Sequence, residues 1–136
     1  MMKAVLLAFL MAVTVAFAAS AGPAEDKAQA DGKEWLALLD GKHYADSWSQ
    51  ASALFRQKLD QATWASQVKS VRDECGDLVS RKVLKVDPRK SLPGVPDGDY
   101  ILLTYQSDFT KEQQLTETLV LTREADHWRA AGYFIQ

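Results

Sequence analysis

The chain has 136 residues, with 16 Lys or Arg against 18 Asp or Glu interspersed along it, a formal net charge of −2. That balance excludes the clustered basic footprint of a nucleic-acid binder, so no nucleic-acid partner is expected. A single cysteine, Cys75, excludes an intrachain disulfide.

The chain opens as an export signal. Lys3 gives a positive start, Ala4 to Ala18 run without a charge, and Ala16-Phe17-Ala18 or Ala19-Ser20-Ala21 offers the small-x-small pattern of signal peptidase sites. The apolar run falls short of the roughly 20 residues a spanning helix requires. Residues 1–21 are therefore expected to be a signal peptide, cleaved between Ala18 and Ala21, with no lipobox cysteine and no membrane span in the mature form. The expected address is periplasmic or secreted, and the remaining length suits one domain.

Residues 22–33 read as a linker or the start of a first helix, with residues 34–136 as a single domain. Asp31 and Glu34 have the spacing of a capping box ahead of Trp35, Leu36, Leu38 and Leu39, and Gly41 is placed to close that helix in the left-handed conformation. Tyr44, Trp48, Ala51, Phe55 and Leu59 recur at helical spacing and predict one second helix. Asp60 or Thr63 caps a third, in which Trp64, Val68, Val71 and Cys75 share a stripe and Gly76 ends it. On that stripe Cys75 is expected to pack as a small hydrophobe.

After Gly76 the period changes from helical to alternating. Leu78 to Val86 mixes Val and Leu with Arg81 and Lys85, as a strand with one wet face does. Pro88, Pro93, Gly94, Pro96 and Gly98 then exclude a helix or a central strand as far as Asp99. Tyr100 to Gln106 is apolar on both parities. Leu115 to Arg123 sets Leu115, Glu117, Leu119 and Leu121 on one face. His127 to Ile135 sets Trp128, Ala130, Gly132 and Phe134 on one side and Arg129, Ala131, Tyr133 and Ile135 on the other. Helices before strands predict an α+β fold, three N-terminal helices packed on one face of a curved four-stranded antiparallel sheet.

Glu117 is the sharpest anomaly, an ionisable group on a leucine face that needs a cation or donors if it is buried. Arg81 and Arg72 are its candidate partners, with Tyr100 and Tyr105 as hydroxyl donors. It reads as a structural ion pair, as a tuned acid or base at a pocket floor, or as a solvated residue at a sheet edge or bulge. Tyr44, Trp48, Arg81, Tyr105 and Glu117 are the pocket candidates, although aromatic side chains at helical spacing serve equally as core. His43 and His127 lack metal-ligand spacing, so no metal or other cofactor is expected. Ser47, Ser49 and Ser52 lie on a helix without the elbow that acyl transfer needs. In the Pro-Gly loop, Pro93, Gly94, Pro96 and Asp97 are contact candidates, the loop serving either a partner or a hairpin.

Trp35 to Tyr44 with Ser47-Trp48, then Ser80-Arg81-Lys82, Leu92 to Tyr100, Phe109, Glu117-Thr118, Trp128-Arg129 and Gly132 to Ile135 together resemble the bacterial exported family called domain of unknown function 4019. The resemblance spans nearly the whole mature chain. It departs at Ala125-Asp126-His127, where an Asp-Gly turn is usual, which implies a looser hairpin. The order of elements is also similar to the nuclear transport factor 2-like cone. The family implies no activity. The expected function is a non-enzymatic domain binding a small apolar ligand or an envelope protein. The alternatives are an isomerase or hydratase using Glu117, and a dimeric envelope protein paired through its outward sheet face.

Overall fold

A computed structural model describes residues 22–136, so the signal segment expected over residues 1–21 lies outside the described residues. Four helices precede four strands: α1 Pro23–Asp40, α2 Tyr44–Ser49, α3 Ala53–Lys58, α4 Gln61–Cys75, β1 Leu78–Arg89, β2 Tyr100–Phe109, β3 Leu115–Glu124 and β4 His127–Ile135. The strands form one open antiparallel meander in the order β1-β2-β3-β4. This is the expected α+β layout, with four helices where the periodicity predicts three.

The extra helix comes from a cap inside the second stripe. Ser52 is fully buried, its Oγ accepts from the Phe55 N–H at 3.2 Å, and its own N–H donates to the Ala130 carbonyl at 2.8 Å. A serine at an N-cap opens a new helix. Its bond to β4 pulls the chain out of the old axis, so Tyr44 and Phe55 keep their core positions on two short helices rather than one.

The start of α1 also differs from expectation. Pro23 occupies the first turn, and the Glu25 carboxylate reaches back to the Gly22 N–H at 2.7 Å. The Asp31–Glu34 pair is therefore mid-helix, and Asp31 instead accepts from the Trp128 N–H at 2.9 Å, tying α1 to β4. At the other end Gly41 has φ −88°, and Lys42 takes the left-handed conformation at φ 64°. In α4 the buried stripe is Trp64, Val68, Arg72 and Cys75, while Val71 faces solvent. Asp60 is the cap, accepting from the Thr63 N–H at 2.7 Å.

One face of the sheet carries the core. Ile101, Leu103, Tyr105, Ser107 and Phe109 alternate inward from β2, and Glu117, Leu119 and Leu121 from β3. Against them pack Trp35, Leu36, Leu39, Phe55, Trp64 and Val68. Trp64 meets Phe55 edge-on with centroids 4.8 Å apart and stacks on Trp35 at 6.2 Å, the offset geometries aromatic rings favour. The indole N–H groups find acceptors at Ser47: Trp35 on its carbonyl at 2.9 Å and Trp64 on its hydroxyl at 2.8 Å. That hydroxyl donates to the Tyr44 carbonyl, so Ser47 serves packing.

Strand β1 runs on through Pro88, which its place at the sheet edge permits. In β4 the register shifts between Val120 and Leu121, whose partners are Gly132 and Ala130, leaving Ala131 as an extra residue. Such a bulge exchanges the two faces beyond it. Trp128 and Ala130 point inward as expected, but Tyr133 turns to the core and Phe134 is left 61% exposed.

Candidate functional site

Glu117 projects from the first part of β3 onto the helix side and is 0% exposed. Arg81 from β1 grips it with two bonds, Nε to Oε1 at 2.6 Å and Nη2 to Oε2 at 3.2 Å. Ser107 on β2 donates to Oε1 at 2.5 Å, and the Tyr133 hydroxyl on β4 donates to Oε2. Each oxygen therefore holds two donors, and every strand contributes a group. Arg81 also reaches the last residue of α1, Asp40, at 2.9 and 3.0 Å. Arg72 of α4 donates to the same carboxylate at 2.7 Å.

The result is a chain of alternating charges, Glu117, Arg81, Asp40 and Arg72, linking the sheet to two helices. Burying two carboxylates and two guanidinium groups costs several kcal/mol per ion, and this bidentate, charge-balanced geometry is what offsets it. Burial pushes the Asp40 carboxyl up, but the hydrogen bonds from Arg81 and Arg72 outweigh that and hold it below the ordinary carboxylate range. Burial, then the charge of Glu117 and the hydrogen bond to it, raise the Tyr133 phenol well above its usual value. Arg72 stacks over the Phe109 ring at 4.9 Å, and its Nε and Nη1 have no acceptor among the described residues.

Of the five pocket candidates, the fold gathers Arg81, Tyr105 and Glu117 and separates Tyr44 and Trp48. Tyr105 pairs with Glu117 across the β2–β3 ladder, and Arg81 lies 5.9 Å from its ring. The Tyr105 hydroxyl has no hydrogen-bond partner among the described residues, and burial pushes its pKa up to about 12. Tyr44 borders a separate depression of about 460 Å³ beside Asp40 and Arg72. Trp48 is spent on structure, its indole donating to the Leu59 carbonyl at 2.7 Å. Of the expected hydroxyl donors to Glu117, Tyr100 bonds instead to the Pro96 carbonyl at 2.6 Å.

Tyr133 reads from the sequence as one of the aromatics, with Trp128 and Phe134, that could close a pocket, but neither it nor Asp40 nor Ser107 is expected in the network around Glu117. Asp40 reads as a helix stop, and Ser107 lies one residue past the strand expected there. Tyr133 is hidden by the bulge, for which Gly132 inside a strand is the available signal. The loop residues Pro93, Gly94, Pro96 and Asp97 lie on the connection of the β1–β2 hairpin, mostly exposed and closed by the Gly98 N–H on the Lys90 carbonyl at 2.9 Å. His43 and His127 are exposed, and among the described residues no group of three or more His, Cys, Asp or Glu is placed to hold a metal ion.

A groove of about 620 Å³ between α1 and β1 also opens beside this network. Helix α1 lies mainly over β4 and leaves the β1 edge uncovered. Ala30, Lys33 and Ala37 form one wall, Val79 and Val83 the other, and Arg81 and Tyr105 lie on the floor. No helix among the described residues is long and apolar enough to cross a membrane.

An open antiparallel sheet with its helices on one face and a buried charge chain between them defines a small α+β domain. The family described as Protein of unknown function (DUF4019) matches residues 31–133, and the chain belongs to it. Among curated proteins nothing matches the chain.

Proposed function

We propose that this is an exported, non-enzymatic binding domain whose contact surface is the groove between α1 and β1. The groove is the observation that carries the reading: about 620 Å³ of concave space walled by Ala30, Ala37, Val79 and Val83, the apolar concavity that ligands occupy. Export rests on the signal-like character of residues 1–21. The interior behind the groove is occupied by Trp35, Trp64, Phe55 and their neighbours, so the binding surface is outside the core rather than within a cone.

An isomerase or hydratase role for Glu117 lacks a route to substrate. A general acid or base must come within hydrogen-bond reach of the proton it moves. This carboxylate is fully buried with four donors on its two oxygens. On the outward sheet face Thr104, Thr116, Thr118 and Thr122 surround Leu102, Val120 and Phe134, a mixed surface rather than a continuous apolar one.

Native mass spectrometry of the protein recovered from its own envelope tests the reading. The expected result is a retained molecule that is lost in Ala37→Trp, whose indole fills the groove, with the thermal midpoint unchanged. Retention unaffected by that substitution, or a protein that carries nothing and takes up no apolar dye, refutes it.

A further inference from the structure

We infer that β1 accepts an additional strand from a partner protein, an extended segment in which apolar residues alternate with Asp or Glu. This rests on the groove being the binding surface and adds what fills it. β1 is an edge of the sheet, twelve residues long, and its outer row of backbone groups faces no strand among the described residues. An unpaired edge is a template for strand addition, and the bulges at Val79 and Leu84 with Pro88 confine it here to short segments of selected charge. A segment paired to it would send alternate side chains to opposite faces. Those on the helix side would enter the groove between Ala37 of α1 and Val79 and Val83 of β1.

Charge selects the other face. Between Ser80 and Lys90 the chain carries Arg81, Lys82, Lys85, Arg89 and Lys90 against the single acid Asp87, in a protein of net charge −2. Arg81 is committed to Glu117 and Asp40, Arg89 to Asp87 and Lys90 to Asp99. Lys85 is 3.9 Å from Asp87, and Lys82 forms no ion pair among the described residues. Lys82 and Lys85 pair with Gln106 and Thr104, so they stand on the outward face of the sheet, where the acidic residues of an alternating segment would meet them. A second copy of this chain is disfavoured, because pairing β1 with itself antiparallel sets lysines against lysines. The irregular register at Val79 and Leu84 also interrupts a long self-pairing and leaves two regular stretches, Ser80 to Val83 and Lys85 to Arg89.

The test is fluorescence anisotropy of the purified protein with short labelled peptides. One alternates Val with Glu, one alternates Val with Lys, and two are Val–Glu peptides N-methylated at every second amide in opposite registers. A strand presents only one edge to its neighbour, so one N-methylated register should bind and the other should not. The Val–Lys peptide should not bind, and Lys82→Glu with Lys85→Glu should weaken the Val–Glu peptide roughly tenfold at unchanged thermal midpoint. Equal binding of both N-methylated registers overturns strand addition and leaves the groove reading standing. So does uptake of an apolar dye, lost in Ala37→Trp, with no peptide bound. Binding to phosphatidylglycerol vesicles in place of peptide, or a dimer by light scattering that the lysine substitutions strengthen, also overturns it. If neither dye nor peptide binds, both readings fall.

Discussion

The hydroxyl of Tyr133 reaches the carboxylate of Glu117 because Ala131 is an extra residue in β4. Without that bulge the strand's alternation would carry Tyr133 to the outward face and bring Phe134 in. Tyr133→Phe keeps the ring against Trp35 and Trp64 and deletes one donor to a fully buried carboxylate oxygen. Oε2 keeps its bond from Arg81, so the expected loss is about 1–3 kcal/mol, the worth of one hydrogen bond to a charged group. In urea unfolding the midpoint should fall with the slope unchanged; an unmoved midpoint means that the hydroxyl contributes nothing there.

Asp40 gives the fold an acid-sensitive joint. Its carboxyl is held below the ordinary range in the folded protein and returns to about 3.9 when unfolded. A depressed folded value contributes stability that is complete above the unfolded value and is lost as pH falls through the folded one. Asp40→Asn should therefore be clearly less stable at neutral pH, with the gap closing below about pH 4. Thermal midpoints measured across that range check it, and a gap that stays constant with pH rules out this linkage.

Gly32 sets how closely α1 approaches the sheet. A Cβ there would stand 2.8 Å from Leu103 Cδ1, 3.2 Å from Leu119 Cδ2 and 3.3 Å from the Tyr105 hydroxyl. Alanine gains about 1 kcal/mol of helix propensity, while overpacking a dense core costs about 1–3 kcal/mol. Leu103 and Leu119 are fully buried with little room to move, so Gly32→Ala should be net destabilising. Leu103→Val should relieve part of the loss in a double-mutant cycle, and a stabilised Gly32→Ala protein would show that the helix has slack.

Ala125 closes the β3–β4 hairpin at φ 54°, and Glu124 still pairs with His127. The hairpin is thus not loosened by the missing Asp-Gly turn; the left-handed conformation is imposed on an alanine, which costs about 1–2 kcal/mol. Ala125→Gly removes that strain and adds about 0.5–1 kcal/mol of chain entropy. A net gain of about 0.5–1 kcal/mol is expected, read as a raised thermal midpoint. A lowered midpoint would place the strain elsewhere in the turn.

The elements that local chemistry controls were readable one by one. Alternation of Leu119 and Leu121 gave the inward face of β3, and Glu117 stood out on it as a carboxylate in need of Arg81. The missed details have a common cause. Ser52 splits the second helix because its N–H finds Ala130 of β4, a residue distant in sequence. Arg72 displaces Val71 from the buried stripe of α4 because Asp40, on another helix, supplies its counter-charge.

The sequence alone determined periodicity, the Pro-Gly connection between β1 and β2, and the one misfit charge, since each depends on neighbours within a few residues. The tertiary structure decided which groups satisfy that charge and where the surface remains open. A one-residue bulge chose Tyr133 over Phe134, and the lean of α1 toward β4 left β1 bare. Both follow from how separate elements pack, a balance of many distant contacts that local spacing does not encode.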